Sequence, residues 1–62
     1  MKLAELRRRA RIKPGHAPST YNYAMTTQRG VAAYERAMAA WQRLYHQRRN
    51  ARIKLADMAA AE

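Results

Sequence analysis

Cysteine is absent, which excludes disulfides and thiolate metal sites as sources of stability. Acidic residues number only four, Glu5, Glu35, Asp57 and Glu62, and no two are close in sequence. They offer no paired acid and base of the kind hydrolytic chemistry needs. Ser19, Thr20, Thr26 and Thr27 match no nucleophile motif. Gly15 and Gly30 are the two glycines and form no loop that could cradle a phosphate. His16 and His46 each lack a second ligand at metal-binding spacing. These absences point away from an enzyme and imply neither a metal nor a cofactor. No apolar run reaches the roughly eighteen residues that a membrane span requires.

Large apolar side chains are also scarce. Hydrophobic residues make up 48% of the 62-residue chain, but fourteen of them are alanine. Alanine favours helix and buries little area. A chain this short rarely gains more than about 3–5 kcal/mol from one core, and it usually needs a staple or a partner. With no cysteine to supply the staple, a partner is the expected route to stability.

Positive charge is abundant: thirteen Lys+Arg against four Asp+Glu, a net charge of +9. Ten of the thirteen are arginine, whose flat fork matches phosphate and carboxylate geometry. Such an imbalance calls for an anionic partner: nucleic acid first, an acidic protein surface second, anionic lipid third. The N-terminus lacks the apolar core of a secretory signal, although its arginine-rich, acid-poor composition is like that of a mitochondrial presequence. The expectation is a protein inside a cell or within a virus or phage particle, neither secreted nor transmembrane.

Along the chain, residues 2–12 are a helix candidate with Leu3, Leu6 and Ala10 on one side. Glu5 precedes Arg8 and Arg9 by three and four residues, the favourable order for a helical ion pair. So short a helix does not hold in water unaided, so residues 1–13 read as a basic arm that orders on docking. Residues 14–27 read as a linker: Pro14-Gly15 signals a turn, and Pro14 and Pro18 push Lys13 and Ala17 towards extended geometry. The alternation of Tyr21 and Tyr23 suits a short extended segment packed on a partner. Thr26 or Thr27 suits the cap of a following helix.

Residues 28–62 form one long amphipathic helix pattern with no proline. At 1.5 Å per residue it makes a rod of roughly 45–50 Å. Its apolar positions are Val31, Tyr34, Met38, Trp41, Leu44/Tyr45, Ala51, Leu55 and Met58. Around Arg48 the stripe breaks and rotates, so the two halves of the helix are expected to face different surfaces. Arg29, Arg36 and Arg43 recur every seven residues, nearly opposite Tyr34 and Trp41, and Gln47, Asn50 and Lys54 continue that polar face. Arg48, Arg49 and Arg52 lie close to the line of the stripe itself. The fold class is therefore all-α, extended and non-globular: a short basic helix, a Pro/Gly linker and one long helix.

Arg7, Arg8, Arg9 and Arg11 make the densest basic run. In composition it resembles the arginine-rich RNA-binding helices of phage antiterminators. Such a run also suits an arm threading along nucleic acid, or a localisation signal. The aromatic residues interleaved with the long helix's arginines suit a protein-packing face better than base stacking, because they sit at helical spacing. Trp41 is then the central anchor of that face. A membrane surface fits poorly, since the bulky face is short and tyrosine-rich.

The functional expectation is a non-enzymatic, basic helical subunit of a larger nucleoprotein assembly, a ribosome-like, virus or phage particle. Val31, Tyr34, Met38, Trp41, Tyr45 and Leu55 would dock on protein. Arg7, Arg8, Arg9, Arg11, Arg29, Arg36, Arg43 and Lys54 would contact phosphates. The alternative is an adaptor or inhibitor whose arginines clasp an acidic protein surface.

Overall fold

A computed structural model describes residues 2–61. These residues form two α-helices joined through a 3-10 turn, with no strand among them. Helix α1 spans Leu3–Ala10, the 3-10 turn spans Thr20–Asn22, and helix α2 spans Gln28–Ala60. The molecule measures 53 × 17 × 13 Å, an extended all-helical shape set by the length of α2.

Thr27 starts α2. Its backbone is extended, and its Oγ1 accepts the Gly30 N–H at 3.0 Å, satisfying one of the donors a helix start leaves unpaired. The same hydroxyl donates to the Ala24 carbonyl at 3.0 Å, tying the cap to the incoming chain. From there α2 continues for 33 residues without a proline.

Helix α1 has no side-chain cap at its start. Its support is electrostatic. Glu5 sits in the first turn and Arg7, Arg8 and Arg9 in the last, the arrangement the helix dipole favours. The Arg9 Nη2 donates to Glu5 Oε1 at 3.1 Å, and the Arg8 Nη2 lies 3.8 Å from the same oxygen. Gly15 then takes a φ of +73°, the left-handed region open to glycine at little cost, as the chain turns after Pro14.

On both sides of this turn the chain lies along α2, and it reverses direction only between Ala24 and Gly30. Four contacts set the register. The Arg52 Nε donates to the Ala10 carbonyl at 3.2 Å. The Trp41 Nε1 donates to the Gly15 carbonyl at 3.0 Å. The Tyr23 ring meets the Tyr34 ring edge-on at 5.6 Å. Ala24 passes so close to Gly30 that a Cβ there would strike its carbonyl. The pairs nest, as in a hairpin with one long arm.

The surface on which α1 docks therefore belongs to the same chain. Leu6 and Ala51, each 3% exposed, are the only buried residues among those described. Alanine at position 51 lets α1 approach closely, and Leu6 fills the space it leaves. Arg52 supplies a donor to a carbonyl that the end of α1 would otherwise leave unpaired.

Tyr21 and Tyr23 do not form the expected extended segment. The Ser19 side chain accepts the Tyr21 N–H at 3.3 Å, and the Tyr23 N–H reaches the Thr20 carbonyl at 3.2 Å. This local turn chemistry outweighs the alternating pattern. Tyr21 is left 94% exposed, while Tyr23 reaches Tyr34.

Candidate nucleic-acid interface

Arg29, Arg36 and Arg43 stand exposed along one line of α2. Seven-residue steps place them about 10.5 Å apart along the axis. At 100° per residue they project away from Tyr34 and Trp41, which meet the returning chain. Glu35 adjoins Arg36 in sequence, but neighbours one apart on a helix do not face each other. Among the described residues, ion pairs form only between Glu5 and Arg8 and between Glu5 and Arg9. The three-arginine row has no acidic partner among those residues.

Arg7, Arg8 and Arg11 are also exposed, and Arg9 is half-buried against Glu5. The structure does not bring this run to the outer row. Helix α1 lies beside residues 47–54, whereas the row ends at Arg43. What it does bring together is Arg9 and Lys54. With Leu6, Gln47, Asn50 and Ala51 they line a groove of about 200 Å³ between the helices. Gln47, Asn50 and Lys54, expected to prolong the outer face, instead flank α1.

Of the expected protein-docking residues, Val31, Tyr34, Met38, Trp41 and Leu55 are half-buried, and Tyr45 is exposed. The Trp41 ring stacks on Tyr45 at 5.3 Å, with planes inclined by 23°. The Arg48 guanidinium lies 5.5 Å from the centre of the Tyr45 ring, within cation–π range. Arg48 thus fills the line of the stripe where its apolar sequence lapses, and it is half-buried there. His46 meets Tyr45 edge-on at 5.8 Å. The Tyr34 face and the Trp41 N–H are engaged within the chain, while Leu44, Tyr45, Ile53 and Met58 remain exposed.

The expected rotation of the stripe has a structural counterpart. The linker covers the first half of α2 at Gly30, Tyr34 and Trp41, and α1 covers the second half at Ala51. The sequence places Leu6 and Ala51 on the apolar lines of their helices but does not pair them, and it marks Gly15 as a turn but not Gly30 as a point of close approach. A small residue within an otherwise long-side-chain surface is the signal that marks such an approach, and Gly30 and Ala51 carry it.

No protein-family model, curated protein or solved structure matches this chain.

Proposed function

We propose that this protein is a non-enzymatic, basic helical subunit of a nucleoprotein assembly that contacts nucleic-acid phosphates through exposed arginines. The observation that carries this reading is the row Arg29, Arg36 and Arg43, exposed, in register and without an acidic partner among the described residues. A solvating surface normally interleaves both signs, and this row does not. Arginine without local counter-ions gains most from a dense line of phosphates, because each contact releases condensed ions.

Protein docking falls to the exposed apolar residues Leu44, Tyr45, Ile53 and Met58, which continue past the segment the linker covers. Among the described residues the buried core amounts to Leu6 and Ala51, so an assembly partner would add area the chain cannot supply alone. Arg7, Arg8 and Arg11 extend the basic surface to the other end of the rod. The contacts are to phosphate and not to base edges, so sequence discrimination is low.

A fluorescence titration with duplex DNA, single-stranded DNA, structured RNA and an acidic protein tests this reading at several salt concentrations. The proposal expects salt-dependent binding to at least one nucleic acid. Binding to the acidic protein alone would overturn it in favour of an adaptor that clasps an acidic surface.

A further inference from the structure

We infer that the groove between α1 and the C-terminal half of α2 is a phosphate-binding site that exists only while α1 is docked. The inference rests on the reading of this chain as a phosphate binder and adds a specific place where α1 and α2 share one ligand. Leu6, Arg9, Gln47, Asn50, Ala51 and Lys54 line the groove. Its floor is the buried pair Leu6 and Ala51. Its rim holds four side chains that donate: the Arg9 guanidinium, the Lys54 ammonium and the carboxamides of Gln47 and Asn50. Among the described residues no acidic residue lines it.

Gln47, Asn50 and Lys54 are spaced by three and four residues, which puts them on one side of α2. Arg9 faces them from α1. The arginine fork and the compact ammonium together suit a tetrahedral anion with several acceptor oxygens. The apolar floor lowers the local dielectric and strengthens such bonds. The groove's volume of about 200 Å³ is ample for a phosphate, since one water needs only about 10–15 Å³ by this measure. The competing charge is Glu5, whose Oε1 lies 3.1 Å from Arg9 and 3.8 Å from Arg8. One carboxylate against two guanidiniums leaves positive charge over.

A ligand held by both helices stabilises the docked form in proportion to its saturation. Amide hydrogen exchange in α1 of the full chain reads this directly. Two probes separate the sources of phosphate: inorganic phosphate, and a short single-stranded oligonucleotide. Sodium chloride at matched ionic strength is the control. At ten times the probe's dissociation constant, exchange in α1 should slow about tenfold. Slowing by both probes, or by the oligonucleotide alone, supports the site, and the second result assigns the phosphate to a strand. Lys54→Gln should abolish the slowing. Arg49→Gln, the same loss of charge outside both the groove and the outer row, should retain it.

Unchanged α1 exchange with both probes, or equal slowing in Lys54→Gln and the parent chain, overturns the groove. If the oligonucleotide still binds in that case, the outer arginine row stands without it. Slowing by inorganic phosphate with no oligonucleotide binding keeps the groove and overturns the nucleoprotein reading.

Discussion

The Trp41 indole donates its N–H to the backbone carbonyl of Gly15 at 3.0 Å, across 26 residues of sequence. This bond joins the middle of the long helix to the turn between α1 and the linker. The most aromatic position of the stripe therefore holds the chain's own hairpin together.

Substitutions at Trp41 should separate the bond from the ring. Trp41→Phe keeps an aromatic ring and loses the donor, costing about 0.5–1 kcal/mol, the lower part of the range for one hydrogen bond because the site is open to solvent. Trp41→Ala also loses half-buried apolar area and should cost about 1–2 kcal/mol more. Chemical denaturation followed by far-UV circular dichroism measures both. Equal stability of Trp41→Phe and the parent chain would show that the bond contributes nothing.

Gly30 should reverse the usual helix rule. Glycine to alanine within a helix normally stabilises by about 1 kcal/mol. Here the new Cβ would strike the Ala24 carbonyl oxygen and lie 2.5 Å from its carbon, and the neighbour is backbone that cannot swing aside. Gly30→Ala should therefore destabilise by about 1–3 kcal/mol, as forced overpacking does. A thermal melt that rises in this variant would rule out the close approach of Ala24.

The helicity of α1 should depend on α2. Eight residues are too few for a stable isolated helix, and α1 is held by Leu6 against Ala51 and by Arg52 at its C-terminus. A peptide of residues 1–13 should be coil in water, and Leu6→Ala should release α1 while α2 stays helical. The full chain should melt broadly, because so small a core gives little cooperativity. A helical isolated peptide, or a sharp two-state melt of the dilute monomer, would contradict this.

Much of this architecture was legible in the sequence, for local reasons. The start of α2 follows from Thr27 as cap and from the proline-free run after it, and α1 follows from Glu5 and its arginines. The fold-back was not legible. Its ties run from side chains to backbone carbonyls, Trp41 to Gly15 and Arg52 to Ala10, and a carbonyl acceptor leaves no mark on the residue that carries it. Lys54 fell on the outer face by helical angle, yet the docking of α1 on Ala51 turned that side into a groove. Arg29, Arg36 and Arg43 stand exposed where periodicity put them, because α1 reaches only residues further along that face.

Deleting residues 1–13 should weaken nucleic-acid binding without abolishing it. The deletion removes Arg7, Arg8, Arg9 and Arg11 but keeps the row on α2. Affinity should fall at low salt, and the gap to the full chain should close as salt rises and screens both. Equal affinity of the two proteins at every salt concentration would exclude the α1 arginines from the interface.

The central claim is that Arg29, Arg36 and Arg43 each meet a phosphate. The most direct test is the dependence of log K on log salt for the parent chain and for the combined variant Arg29→Gln, Arg36→Gln and Arg43→Gln. Each phosphate contact contributes about −0.9 to the slope on duplex DNA and about −0.7 on single strands. Four to six contacts in the parent chain would give a slope of roughly −3 to −5. The triple variant should be flatter by about 2–3 units, and it should weaken binding to all sequences about equally. Two parallel lines, with the same slope for variant and parent, would contradict the account.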